Sequence, residues 1–171
     1  MIITTARLRL RPMEPKDIDG FVRDLSNWEV QQWLTQPPFP YQRKDGEAYM
    51  AIVQGNHATP HPTLFVIADK ASDTALGTAG VDIDAEGTAE LGYWLGPAHW
   101  GRGIMPEAVA ALLRHARRHP TVRQLRAVTD PENLRSQRVL AACGLLDRGL
   151  VARREPSRRG SIEVRHYELP I

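Results

Sequence analysis

Trp94-Leu95-Gly96-Pro97-Ala98-His99-Trp100-Gly101-Arg102-Gly103-Ile104-Met105-Pro106-Glu107-Ala108 joins an apolar, strand-like run to an amphipathic helix through two closely spaced glycines. This order predicts free backbone N–H groups at a helix start, where they can hold an anion such as a phosphate. Gly101 and Gly103 allow positive φ and a close approach of the main chain to a ligand. Pro106 fits the first helical turn, and Glu107 suits the positive end of the helix dipole.

Two familiar phosphate-binding loops do not fit this stretch. A Walker loop needs GxxxxGK[ST], and the chain contains no Lys-Ser or Lys-Thr pair. A dinucleotide-binding fingerprint needs Gly or Ala three residues after the second glycine, where Pro106 stands. Taken alone, two glycines are equally compatible with a plain turn between a strand and a helix.

Two blocks of the sequence together resemble the GNAT superfamily of N-acetyltransferases. Trp100–Met105 is similar to the superfamily's motif Q/R-x-x-G-x-G/A, with Trp in the Gln/Arg position and Met in the Gly/Ala position. Asn133–Leu145 matches its segment N-x-x-S-x-x-[VL]-[LY]-x-x-x-G-[FL]. Glu90–Leu95 and Thr5–Pro12 are similar to the fourth and first strands of the subfamily of ribosomal-protein N-terminal-alanine acetyltransferases. The resemblance therefore covers nearly the whole chain.

The hydrophobic pattern predicts a mixed α+β chain, and this agrees with the order of elements that the resemblance implies. The resemblance implies a single GNAT-like domain over residues 1–171, with a mostly antiparallel twisted sheet that splays between strands 4 and 5 and about four flanking helices. The pattern predicts a turn at residues 84–87, and Gly92 inside a strand indicates a bulge or a close backbone approach. The predicted strands are Arg7–Arg11, Leu64–Asp69, Leu76–Ile83, Ala89–Leu95, Leu125–Thr129, Leu145–Ala152 and Ile162–Leu169, and the predicted helices are Lys16–Leu25, Arg43–Val53, Pro106–His119 and Asn133–Cys143.

The resemblance also implies a binding site for acetyl-CoA, with no metal. Residues on both sides of the splay would flank the pantetheine arm, and the glycine-rich loop would hold the diphosphate. The strand side comprises Tyr93, Trp94 and Leu95 through their backbone, the loop comprises Gly101, Arg102, Gly103, Ile104 and Met105, and the opposite side comprises Asn133 and Ser136.

Two residues are candidates for catalysis. Glu90 lies two residues before Gly92 and would take a proton from the amine through water or hold a cationic amine; an exposed strand carboxylate is the structural alternative. Ser136 would hydrogen-bond the cofactor sulfur, although it also has a position suited to helix capping. In many relatives a tyrosine seven residues after the Asn is the acid, but here that residue is Leu140.

Composition narrows the class of protein further. The chain has 171 residues, of which 42% are hydrophobic and 25% charged, as in ordinary globular proteins. No apolar run approaches the ~20 residues that span a bilayer, no signal peptide opens the chain, and a single cysteine suits a reducing compartment. We therefore expect a cytoplasmic protein with no membrane partner, and the resemblance implies a bacterial-type enzyme.

Charge is unevenly distributed along the chain. Residues 1–99 carry 8 basic and 13 acidic side chains, whereas residues 100–171 carry 14 and 7, so the second half suits a phosphate-bearing partner. Coenzyme A and RNA both fit that charge, and so do solvated faces of an arginine-rich protein.

Other groups of residues give weaker indications of function. Cys143 fits a small buried hydrophobe, and the pairs His57/His61 and His115/His119 lack the context of a metal site. Trp28, Trp33 and Phe39 belong either to the core or to a cover over the substrate pocket. The arginines of residues 153–160 lie either at the acceptor entrance or at a solvated hairpin tip.

The best-supported function is transfer of an acetyl group from acetyl-CoA to a primary amine. A peptide or protein N-terminal α-amine is the first acceptor hypothesis, which makes a ribosomal protein a candidate partner, and the resemblance allows a homodimer. A small-molecule amine, such as a polyamine, amino acid or antibiotic, is the alternative. A binding module for CoA, RNA or the ribosome without catalysis is the alternative from another class.

Overall fold

A single eight-stranded sheet forms the centre of the computed structural model, which describes residues 1–170. Its strand order is β1-β2-β3-β4-β5-β6-β8-β7. The strands are β1 (Ile3–Thr4), β2 (Leu8–Arg11), β3 (Leu64–Asp69), β4 (Ala75–Ile83), β5 (Thr88–Leu95), β6 (Gln124–Thr129), β7 (Leu146–Ala152) and β8 (Glu163–Leu169). Every neighbouring pair is antiparallel except β5 and β6, which are parallel.

The parallel pair β5–β6 opens part of the way along its length. Pairing runs from Thr88 opposite Gln124 to Leu91 opposite Ala127 and stops there. β5 nevertheless continues to Leu95 and β6 to Thr129. The expected splay is therefore confirmed, and it leaves the last residues of β5 without a strand neighbour on that side.

Within residues 1–170, five α-helices cover the two faces of the sheet. They are α1 (Ile18–Leu25), α2 (Trp28–Gln31), α3 (Arg43–His57), α4 (Ile104–Ala116) and α5 (Leu134–Ala142). One core packs α4 and α5 against alternate residues of the strands, among them Leu91 of β5. The second core packs α1 and α3 on the other face, where Trp94 of β5 lies edge-on to Phe21 with ring centroids 4.9 Å apart. β5 thus contributes side chains to both cores.

The mixed α+β class is confirmed, and most element boundaries agree with the sequence pattern within a few residues. The short helix α2 was not predicted, because four residues show too little periodicity, and it makes five helices rather than four. α3 continues one turn beyond Val53, whereas α4 begins at Ile104 and ends at Ala116 rather than His119. Among residues 1–170, no helix is long and apolar enough to cross a bilayer.

The expectation of a bulge at Gly92 is wrong. Gly92 pairs regularly with Gly80, and the β4–β5 register runs without a shift from Gly77 to Ile83. A Cβ added at Gly92 would meet no atom within 4 Å. The position therefore leaves open space on the face of the sheet beside the splay.

Candidate functional site

The glycine-rich loop has the backbone geometry of an anion-binding helix start. Gly101 and Gly103 adopt left-handed conformations, with φ of 72° and 71°, and Gly103 is the N-cap of α4. Glu107 N donates to Gly103 O at 3.4 Å, so the amides of Gly103, Ile104 and Met105 precede the first helical hydrogen bond. Their N–H groups can therefore face a phosphate.

Met105 does not obstruct this loop, although the motif has a small residue at that position. Its side chain is buried in the core that contains α4, with 5% exposure, and Ile104 is buried beside it. The side chain therefore points away from the solvent-exposed stretch from Gly101 to Gly103.

Glu107 ties the start of α4 to the first strands. Its Oε1 accepts hydrogen bonds from Thr5 Oγ1 at 2.6 Å and Arg7 N at 2.9 Å. Its Oε2 accepts one from Arg7 Nε at 2.7 Å. Burial opposes ionisation, but these hydrogen bonds outweigh it and hold the pKa of Glu107 below its ordinary value. The carboxylate therefore stabilises the loop.

The splay exposes backbone groups of β5 on its open side. Asp84 N donates to Thr88 O, and Gly96 N donates to Leu76 O. These bonds join even-numbered residues of β5 and its extension to β4, and backbone groups alternate sides along a strand. The backbone groups of Tyr93 and Leu95 therefore face the gap, while those of Trp94 face β4.

One of these groups already has a partner. Trp100 Nε1 donates to Leu95 O at 2.8 Å. The N–H and C=O of Tyr93 and the N–H of Leu95 remain directed into the gap, where an extended ligand can pair with them. These groups and the loop amides are arranged for an extended polar ligand that carries a phosphate.

The two sequence blocks meet across the gap through side chains. Tyr93 Oη lies 2.8 Å from Ser136 Oγ, and it also donates to Ser136 O at 3.3 Å. Burial raises the pKa of Tyr93 well above its ordinary value, although the hydrogen bond with Ser136 opposes the shift. The phenol therefore stays protonated at neutral pH and remains a hydrogen-bond donor.

Helix capping was the structural alternative for Ser136, but the side chain that caps α5 is that of Asn133. Its Oδ1 accepts from Ser136 N at 3.1 Å and caps α5, which leaves its amide nitrogen as a possible donor to a ligand. Leu140, in the position of the family tyrosine, is completely buried in the core.

Glu90 lies one residue before the splay, on the face that carries α1 and α3. Its Oε2 accepts a hydrogen bond from Arg126 Nε at 2.8 Å, and both side chains are about two-fifths exposed, at 40% and 41%. Arg126 is directly opposite Glu90 in the parallel register. Sequence reasoning missed this pairing because it depends on the register of strands that are 36 residues apart.

Aromatic residues and the β7–β8 connection lie together on one edge of this face. Trp28 and Phe39 are half-exposed, with ring centroids 5.5 Å apart. The Arg159 guanidinium lies 4.5 Å from the centroid of the Trp33 ring and pairs with Glu132. The arginine-rich connection therefore packs against the segment that follows α2, rather than forming a free hairpin tip.

The remaining candidate residues lie away from the splay or are unreactive. Cys143 is half-buried, and burial raises the pKa of its thiol. His57 and His115 bond the carbonyls of Leu64 and Pro62. Within residues 1–170, no three His, Cys, Asp or Glu side chains are arranged to hold a metal ion.

Known proteins share this organisation. A family model described as an acetyltransferase (GNAT) domain matches residues 7–146. The chain is 31% identical over 169 residues to the uncharacterized N-acetyltransferase p20 of Bacillus licheniformis, covering 96% of this chain and 93% of that protein. It is 28% identical over 131 residues to the ribosomal-protein-serine acetyltransferase of Escherichia coli, covering 74% and 70% respectively.

Solved structures share the fold. An acetyltransferase of the GNAT family from Bacillus anthracis superposes with a TM-score of 0.84 at 21% identity, covering 99% of this chain and 98% of that one. A ribosomal-protein α-N-acetyltransferase in complex with coenzyme A superposes with a TM-score of 0.80 at 22% identity, covering 100% and 98%.

A helix start that can bind phosphate lies beside an opened strand pair, an arrangement suited to an extended, phosphate-bearing ligand that lies along a strand. The family match specifies the class: this chain belongs to the GNAT acetyltransferases. It is an acyltransferase that uses acetyl-CoA as its cosubstrate.

Proposed function

We propose that this enzyme acetylates the N-terminal α-amine of a peptide or protein. The observation that carries the proposal is the position of Glu90, a half-exposed carboxylate that is paired with Arg126 one residue before the splay. A ribosomal-protein-serine acetyltransferase among the relatives supports a protein acceptor.

The chemistry of the amine favours this acceptor. An amine must be neutral to attack a thioester, and the cost at pH 7 is about 1.4 kcal/mol for an α-amine with a pKa of ~8, against about 4.6 kcal/mol for a lysine with a pKa of ~10.4. Glu90 is accessible to water and forms an ion pair with Arg126. Such a carboxylate is suited to removing a proton, through a water molecule, from the α-amine, which is the weaker base of the two amines.

The other side of the gap suits the departing thiolate. The hydroxyl groups of Tyr93 and Ser136 are joined at 2.8 Å, where the two walls of the splay meet. In this proposal, Ser136 donates a hydrogen bond to the sulfur, and Tyr93 orients the serine hydroxyl. The backbone N–H groups of Tyr93 and Leu95 would pair with the thioester and the pantetheine arm.

The proposed cosubstrate site combines three groups of residues. The loop amides from Gly101 to Met105 hold the diphosphate, with Arg102 contributing its backbone. Trp94 supports β5 through its side chain, which is buried against Phe21. Asn133 flanks the arm from α5. We further propose that residues 1–171 act as one acetyltransferase domain.

An acceptor panel tests the proposal. CoA release from acetyl-CoA would be followed with peptides that begin with Ala or Ser, with the same peptides N-formylated but carrying an internal lysine, and with spermidine. We expect release with the free N-terminal peptides and an acetyl group on the α-amine by mass spectrometry. Release with only spermidine, or with only the blocked peptides, would replace this acceptor with a small molecule or a lysine.

Glu90→Gln tests the role of the carboxylate. We expect kcat for the peptide acceptor to fall about 10²-fold or more, in line with the loss of a general base, while the Kd for acetyl-CoA changes little. Asp82→Asn is a matched control because Asp82 lies opposite Glu90 on β4 and is exposed. A wild-type kcat for Glu90→Gln would remove Glu90 from the mechanism.

A further inference from the structure

Trp100 and Arg135 form a bridge between the two walls of the splay. Trp100 lies immediately before the glycine loop, and its indole N–H is anchored to Leu95 O at 2.8 Å. Arg135 lies in the first turn of α5, on the opposite wall. The Cζ atom of its guanidinium is 3.6 Å from the centroid of the Trp100 ring, the geometry of a close cation–π contact.

Arg7, Arg102 and Arg135 lie in or beside the loop, and of these three only Arg7 forms an ion pair within residues 1–170. Arg7 forms an ion pair with Glu107 at 2.7 Å. Arg102 lines a cavity of about 390 Å³ together with Asp69, whose pKa is lowered mainly by hydrogen bonds from Ser72 and to a smaller extent by the charge of Arg102. In the part of the chain that the structure describes, Arg135 is exposed and forms neither an ion pair nor a side-chain hydrogen bond.

We propose that Arg135, held on the face of Trp100, is the cationic side chain that binds the diphosphate of acetyl-CoA. This inference rests on the proposed cosubstrate site. A guanidinium that stacks through its face keeps the N–H donors along its edge free, and those donors match two phosphate oxygens.

The indole that carries the guanidinium is itself held in place. Its hydrogen bond to Leu95 O holds the ring at the end of β5, next to the loop amides. A guanidinium placed there before the ligand arrives loses less side-chain freedom on binding than a free surface arginine does. Trp100 is therefore a positioning residue, and Arg135 is a binding residue.

Equilibrium binding without an acceptor tests this inference. The Kd of acetyl-CoA would be measured by calorimetry for the wild type, Arg135→Ala, Trp100→Ala and the double variant. We expect Arg135→Ala to weaken binding about tenfold or more, as for a lost hydrogen bond to a charged group. Because Trp100 acts through Arg135, the double variant should bind little more weakly than Arg135→Ala alone.

Arg138→Ala is the matched control. Arg138 is an exposed arginine on the same helix, and it lines a different surface cavity, together with Leu134 and Ala141. Its removal changes the net charge of the protein by the same amount as the removal of Arg135. We expect a wild-type Kd for this control. Arg135→Ala should reduce the slope of log Kd against log salt concentration, since one phosphate contact is lost, whereas Arg138→Ala should leave this slope unchanged.

The outcomes separate this inference from the proposed function. Equal Kd values for Arg135→Ala and Arg138→Ala, or equal salt slopes, would overturn the assignment of Arg135 even if acetyl transfer to peptides is normal. A loss of folding, detected by circular dichroism, is unexpected for an exposed arginine, and Arg135→Lys provides a second variant that keeps the charge but not the planar stack. We expect Arg135→Lys to bind with intermediate affinity, and an affinity equal to that of the wild type would show that the stack on Trp100 is not needed.

Discussion

Replacing Gly103 isolates the contribution of loop conformation to binding. Gly103 is the N-cap of α4 with φ of 71° and ψ of 12°. A Cβ added there would meet only the flexible end of the Arg7 side chain, at 3.5 Å, which is an ordinary contact. The cost of Gly103→Ala therefore comes from backbone conformation and not from a steric clash.

The magnitude follows from that conformation. A left-handed backbone costs an L residue roughly 1–2 kcal/mol. For a chain of this length, each kcal/mol lowers Tm by about 2–4 °C, so we expect a drop of about 2–8 °C for Gly103→Ala. Asn tolerates the left-handed region better than Ala does, so Gly103→Asn should lose less stability.

Binding should be affected in the same order. If the loop relaxes to relieve strain, the amides of Ile104 and Met105 turn away from their common direction. The loss of one hydrogen bond to a charged phosphate weakens the affinity roughly 10-fold to 100-fold. Thermal unfolding and calorimetric titration with acetyl-CoA would measure both effects. Unchanged Tm and Kd in Gly103→Ala would refute the loop assignment.

Two further predictions concern contacts on either side of the loop. Tyr93→Phe removes the hydroxyl that lies 2.8 Å from Ser136 Oγ. We expect kcat to fall up to about tenfold, while the Kd for acetyl-CoA stays near that of the wild type. An unchanged kcat in steady-state assays would exclude a role of Tyr93 in orienting Ser136. Glu107→Gln removes a charge that Arg7 pairs with. Because the folded pKa of Glu107 is lowered, its ionised form contributes stability above its unfolded pKa, and that contribution is lost as the pH falls through the folded value. The variant should therefore be less stable than the wild type at pH 7, and the difference should shrink in melts at acid pH; a constant difference would contradict this.

Local sequence signals predicted most of the elements that form the site. The glycine pair and Pro106 predict the start of α4 within two residues, because left-handed turns and first-turn prolines are local constraints. Asn133 predicts the start of α5 for the same reason, since its side chain caps the helix that follows. By contrast, Gly92 was misinterpreted, because a glycine can also occur where nothing packs above the strand.

The pairings within the site could not be predicted in this way. Glu90 meets Arg126 only because β5 and β6 run parallel in one register. Tyr93 was expected to act through its backbone, yet its side chain also reaches Ser136 across the gap. Spacing along the chain does not give the register between distant strands, and that register decides which side chains meet.

The sequence by itself determined the mixed class of fold, the glycine loop and the blocks that define the family, because these depend on local backbone preferences and periodic burial. The tertiary structure alone decided which backbone groups of β5 face the gap, that Met105 is buried away from the loop, and that Arg135 lies on Trp100. These depend on strand register and on the packing of α4 and α5 against the sheet, which emerge only when the whole chain folds.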